Sequence, residues 1–141
     1  MEQGKSIDEL EVGDNASFSK TVTEADIILY AGITGDVNPL HIDEEYAKKS
    51  IFEGRVAHGG ITMGLISAVL GDKLPGLGTI MLEMICKFKA PVRIGDTITA
   101  RVEVTEKITE KNILKLKACC TNQDGTEVIM GEAVVMPPPR S

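Results

Sequence analysis

The C-terminal half of the chain reads with a period of two. Ile80, Leu82, Met84, Cys86, Phe88 and Ala90 alternate with Thr79, Met81, Glu83, Ile85, Lys87 and Lys89, as in a long strand whose side chains point to opposite faces. A turn at Ile94-Gly95-Asp96 leads into a second run, where Ile98, Ala100, Val102 and Val104 alternate with Thr99, Arg101, Glu103 and Thr105. "ILKLKACCT" follows, and the hairpin signal Asp124-Gly125-Thr126 joins it to "EVIMGEAVVM". Four successive strands predict an antiparallel meander. Before them, the stretch from Val56 to Leu70 loses the alternation and is apolar on all sides, which predicts a helix surrounded by protein.

Earlier in the chain, "NASFSKTV" alternates enough to form a first strand. Thr23 and Asp26 fit the capping box of a short helix that carries Ile27, Leu29, Tyr30 and Ala31 and stops near Gly32. Asp43 is placed to cap another short helix through "EEYAKKS". One apolar helix beside an antiparallel sheet predicts an α+β fold with the sheet curled around the helix, a hot-dog arrangement in a single domain over residues 1 to 141. The closing "PPPRS" cannot donate ladder hydrogen bonds at its prolines and should leave the sheet.

Composition narrows the setting. Hydrophobic residues at 43% and charged residues at 26% suit a soluble globular protein, whereas 4% aromatics and no tryptophan require a core packed from aliphatic side chains. The net charge of -6 and scattered Lys and Arg argue against nucleic acid as a partner. The start, "MEQGKSIDELEVGD", does not read as a signal peptide, and the longest chargeless stretch is too short for a bilayer span, so a cytoplasmic chain with no membrane partner is expected. Three cysteines, Cys86 and the vicinal Cys119 and Cys120, show no CxxC spacing and read as reduced thiols packed in strands.

Candidate chemistry starts at "GDVNPLHID". The Asn38-Pro39 step biases this segment away from helix, so Asp36 and His41 are presented from a loop as a carboxylate and an imidazole able to exchange protons near neutral pH. From spacing alone they are open between a catalytic pair and a turn acid with a packed histidine. The His58-Gly59-Gly60 step opens the apolar helix, whose first N–H groups could bind a ligand oxygen; simple capping with close packing explains the same residues. His58 is read as orienting this turn. Ser67 falls on a face similar to that of Gly59, and without GxSxG it is no nucleophile. Two histidines far apart in sequence and vicinal cysteines on opposite strand faces form no recognisable metal-ligand set.

The stretch "YAGITGDVNPLHIDEEYAKKSIFEGRVAHGGITMGLIS" closely resembles the signature region of the (R)-specific enoyl-CoA hydratases, the MaoC-like hot-dog dehydratases, and "KFKAPVRIGDTITARVEV" resembles the long strand and turn of that family. The resemblance implies that Asp36 and His41 are the catalytic pair, that the Gly59 amide binds the thioester oxygen and that Ser67 supports the catalytic groups by hydrogen bonding. It implies an acyl-CoA thioester as substrate, syn hydration to an (R)-3-hydroxyacyl-CoA, and no metal or redox cofactor. The sequence departs from the family at "GITMG", where Gly60 and Gly64 replace larger residues and alter the acyl pocket.

His58, Leu70 and Val134 are candidates to line the substrate pocket, the latter two favouring short chains, and Lys48, Lys49, Arg55, Lys87, Lys89 and Arg93 are candidates for the CoA phosphates by charge. A solitary sheet of this kind leaves an edge and a helix flank to cover, so a homodimer is expected. The alternatives are a hot-dog thioesterase, which would use the same helix start as an oxyanion site, and a non-catalytic acyl-CoA binding domain, for which an Asp36-His41 pair would be needless.

Overall fold

A computed structural model describes residues 2 to 140. A five-stranded, wholly antiparallel sheet has the order β1-β3-β4-β5-β2, formed by β1 (Asn15–Thr21), β2 (Ile80–Phe88), β3 (Thr97–Ile108), β4 (Ile113–Thr121) and β5 (Glu127–Met136). Between β1 and β2 run α1 (Glu24–Thr34), the single turns α2 (Pro39–Ile42) and α3 (Glu44–Ala47), and α4 (Gly59–Asp72). The meander is three strands long, not four. β2 skips its sequence neighbour β3 and pairs with β5 at the far edge. Period-two alternation specifies which face a side chain takes, and it carries no information about which strand lies alongside.

The alternation does set the core. Ile98, Ala100, Val102 and Val104 of β3 and Leu114, Leu116, Ala118 and Cys120 of β4 are all buried, and the register places Val102 opposite Ala118 and Val104 opposite Leu116. Onto this face α4 lays Leu65, Ile66, Val69 and Leu70, all buried. Each fully buried aliphatic side chain of this size contributes roughly 1.5–3 kcal/mol. Irregular register in β2, β3 and β4 adds local twist and helps the sheet to curl over the helix.

Helix α4 is not enclosed on all sides. Gly64 and Ser67 are exposed, and no atom lies near the position a side chain would take at Gly64 or Gly71. The flank is apolar in sequence because small residues form it, and among the described residues nothing covers it. Helix α1 runs through Gly32 to Thr34, because a helical glycine costs only about 1 kcal/mol. Its stop is Gly35, whose φ of 80° places it in the left-handed region and whose N–H bonds to the Ala31 carbonyl at 2.9 Å. Of the residues expected on its inner face, Ile27 and Ala31 are buried and Leu29 points to solvent. Among the described residues no helix is long and apolar enough to cross a membrane.

Candidate active site

The loop after α1 is built by side chains closing on nearby backbone. The Thr34 hydroxyl accepts from the Asp36 N–H at 3.1 Å, Asp36 Oδ1 accepts from the Asn38 N–H at 3.3 Å, and Asn38 Oδ1 caps α2 through the Leu40 N–H at 3.0 Å. Pro39 occupies the first position of α2, where its fixed φ suits a helix and its missing N–H costs nothing. His41 therefore stands on a helical turn, contrary to the expectation that the Asn38-Pro39 step keeps it off a helix. The proline excludes helix only for the residue before it.

His41 Nδ1 lies 2.7 Å from the Val56 carbonyl oxygen. A carbonyl only accepts, so Nδ1–H donates and Nε2 of the neutral ring keeps a lone pair. The same segment is tied back twice: the Val56 N–H bonds to the Leu40 carbonyl at 3.1 Å and Arg55 Nε donates to the His41 carbonyl at 2.6 Å. The Arg55 guanidinium also holds Glu24 of α1 at 2.9 and 3.0 Å. His58, only 1% exposed, donates from Nε2 to the Asp36 carbonyl at 2.9 Å. Its ring stacks on that of His41, with centroids 3.9 Å apart and planes at 29°, and also meets the Tyr30 ring at 4.6 Å. Asp36, His41 and His58 thus form a cluster graded from exposed to buried, with donor atoms within 4.8 Å of one another.

Next to His41 a cavity of about 500 Å³ opens, with Gly59, Gly60 and Thr62 of α4 on one wall and Leu40, Phe52, Val56, Phe88, Val92, Val128 and Ile129 around it. The N–H groups of Gly59 and Gly60 lie in the first turn of α4 and have no intrahelical partner. A side chain at Gly59 would collide with the Phe88 ring, and one at Gly60 with the Tyr30 hydroxyl. Both glycines are therefore demanded by close approach.

The chain matches the MaoC-like domain over residues 10–123. It belongs to the MaoC-like family. It is 49% identical over 133 residues to an (R)-specific enoyl-CoA hydratase of Rhodospirillum rubrum, covering 94% of this chain and 92% of that protein. A 3-hydroxybutyryl-CoA dehydratase of Methylorubrum extorquens is 45% identical, with 93% of this chain and 83% of that protein covered. The solved structure of an R-hydratase from Pseudomonas aeruginosa superposes with a TM-score of 0.91 at 40% identity, covering 98% of this chain and 88% of that one. The hot-dog arrangement read from the strand pattern is the fold of this MaoC-like chain.

Within the MaoC-like domain the expected site residues divide. Asp36 and His41 are brought together, His58 packs behind them, and Gly59 shares the cavity wall with His41. Ser67 lies on the exposed flank of α4, and its hydroxyl has no hydrogen-bond partner among the described residues. Leu70 is sealed in the core at 2% exposure, and Val134 on β5 faces the register of Glu83 and Lys115; neither lines the cavity. Its apolar wall comes instead from Phe52, Phe88, Val92, Val128 and Ile129, which no local signal marks. Of the six basic candidates only Lys89 borders the cavity, while Lys48 pairs with Glu45 at 2.6 Å, Arg55 with Glu24, and Arg93 Nη2 donates to the Phe52 carbonyl at 2.5 Å.

Sequence spacing offered no metal-ligand set, whereas the fold stacks the two histidines face to face beside Asp36. His41 Nδ1 and His58 Nε2 are each committed to a backbone carbonyl, which leaves the Asp36 carboxylate, His41 Nε2 and the buried His58 Nδ1 as the free donor atoms of the cluster. The three thiols are free. Burial, with lesser contributions from Cys119 and Cys86, pushes the Cys120 thiol up to about 12, so it is an inert core residue.

Proposed function

We propose that this MaoC-like chain is an (R)-specific enoyl-CoA hydratase, running reversibly as a 3-hydroxyacyl-CoA dehydratase on short to medium acyl chains. The observation that carries this reading is the bare Nε2 of His41 sharing the wall of a largely apolar cavity with the open N–H groups of α4, with the Asp36 carboxylate clustered beside the two histidines within 4.8 Å. Hydration needs a base for water, a proton for C2 and a partner for charge on the thioester oxygen. His41 Nε2 takes one proton as the water oxygen bonds to C3, and the C2–C3 π electrons move onto the carbonyl oxygen. The Gly59 N–H and the positive end of α4 meet that enolate charge. Asp36 accepts a hydrogen bond from the second hydrogen of the water, which stays on the new hydroxyl, and offsets the imidazolium. His41 then returns its proton to C2 on the same face as the enolate collapses, which is syn addition. The (R) outcome and the CoA carrier follow the activities by which the relatives are named.

Two copies of the chain make the working unit in this proposal. β2 is an edge strand carrying exposed Ile80, Leu82, Ile85 and Phe88, whereas the opposite edge, β1, presents Asn15, Ser17, Ser19 and Thr21 to solvent. An apolar open edge is the one that needs covering. Phe88 rests on Gly59, so pairing at β2 would also close the cavity mouth.

The deciding assay offers crotonyl-CoA and longer trans-2-enoyl-CoAs, follows loss of the conjugated thioester absorbance and resolves the chirality of the product. Asp36→Asn and His41→Ala are each expected to lower kcat by at least about a hundredfold with the fold intact by circular dichroism. Wild-type turnover in either purified variant, or release of free CoA in place of hydration, would overturn the proposal.

A further inference from the structure

Among the described residues just two buried side-chain polar atoms have no hydrogen-bond partner: His58 Nδ1 and Thr62 Oγ1. Each residue is 1% exposed. They belong to residues four apart at the start of α4: His58 is its N-cap, with extended backbone, and Thr62 stands in its first turns. Buried polar groups in native folds are almost always satisfied, by protein or by ordered water, and two orphans at one helix start that do not bond each other directly call for a shared bridge. Their chemistry is complementary as well. The Asp36 carbonyl accepts only, so the proton of the neutral His58 ring must be on Nε2, and Nδ1 is left as an acceptor. A threonine hydroxyl carries one donor hydrogen and turns freely to aim it.

We infer that one water bridges the Thr62 hydroxyl to His58 Nδ1, donating to that nitrogen, and so fixes the ring that positions Asp36 and His41. The chain of interactions then runs from Thr62 through the His58 ring to the Asp36 carbonyl, with His41 stacked on the ring face. With Nδ1 occupied by an incoming donor, the ring cannot move its proton to Nδ1. Such a move would face an Nε2 lone pair against the Asp36 oxygen across 2.9 Å and release the main chain of the acid. A side chain that never touches the reacting atoms can still matter, because small displacements of oriented groups are costly in rate. Thr62 is in these terms a positioning residue. It also borders the cavity, so direct contact with the acyl chain is the competing role.

The kinetic consequence rests on the hydratase reading, whereas the hydrogen bond does not, and the test separates them. The chain has two histidines, so its imidazole nitrogen spectrum after 15N-histidine labelling is assigned with the His41→Ala variant alone. In Thr62→Val the Nδ1 resonance of His58 is expected to move downfield toward an unbonded ring nitrogen, in substrate-free protein. In the same variant kcat for crotonyl-CoA is expected to fall roughly tenfold with KM little changed. Thr62→Ser, which restores the hydroxyl, should recover both. If the valine disturbs folding, Thr62→Ala carries the same spectral expectation.

An unchanged His58 spectrum in the hydroxyl-free variants overturns the inference. So does a raised KM with an unchanged spectrum, which would make Thr62 a substrate contact, or a serine variant that behaves like valine, which would make the role one of shape. If the wild type hydrates no enoyl-CoA, the functional reading fails and the nitrogen spectrum still decides the link.

Discussion

At the head of α1 one carboxylate serves two partners. Asp26 Oδ2 accepts from the Thr23 N–H at 2.9 Å, the Thr23 hydroxyl accepts from the Asp26 N–H at 3.2 Å, and the Lys20 ammonium stands 2.7 Å from the same carboxylate. Burial by itself would raise the Asp26 pKa, but Lys20 and the Thr23 hydrogen bonds outweigh it and the result lies below the usual value. A depressed folded-state pKa contributes stability above the unfolded value and loses it as pH falls. Asp26→Ala is thus expected to cost about 1 kcal/mol at neutral pH. The difference from wild type should shrink as pH drops through about 4, measured by urea unfolding at a series of pH values. This box was readable from Thr23 and Asp26 because its partners are three residues apart. His58 shows the opposite case: nothing in "AHGG" reports that its ring meets those of both Tyr30 and His41.

At the scale of elements, the meeting of α1 with α4 depends on an absent side chain. The Tyr30 hydroxyl occupies the space that a Cβ at Gly60 would fill. Gly60→Ala must push Tyr30 off its contact with His58, and overpacking of this kind costs about 1–3 kcal/mol. A lowered thermal midpoint is expected, with partial recovery when Tyr30→Phe removes the hydroxyl from the same background. An undiminished midpoint in Gly60→Ala would show that the helices separate freely. The helix and every strand were legible as elements, since 3.6 and 2 are local periods. Which flank of α4 stays open was not, because glycine and serine suit an enclosed helix and a close-packed interface equally well.

For the molecule as a whole, the strongest statement of the sheet is its asymmetry, a polar edge at β1 and an apolar one at β2. Light scattering is expected to give twice the 15.1 kDa chain mass at micromolar concentration. Ile85→Lys, which places a charge on the exposed β2 edge, should shift it to the mass of one chain. A monomeric wild type would remove the homodimer from the proposal. The same edge accounts for the one topological error of the strand reading: alternation in β2 was plain, yet the strand buries little within its own chain.

Local spacing was sufficient for the strands, the buried helix, the caps at Thr23 and Asp43, and the pairing of Asp36 with His41 as candidates, because each depends on residues within a turn or two of one another. Only the folded chain decided that β2 lies beside β5, that Ser67 and Leu70 stand away from the cavity, and that His58 bonds to the Asp36 carbonyl and stacks on His41. Those relations join positions tens of residues apart, where hydrophobic pattern fixes a face and leaves the neighbour to packing.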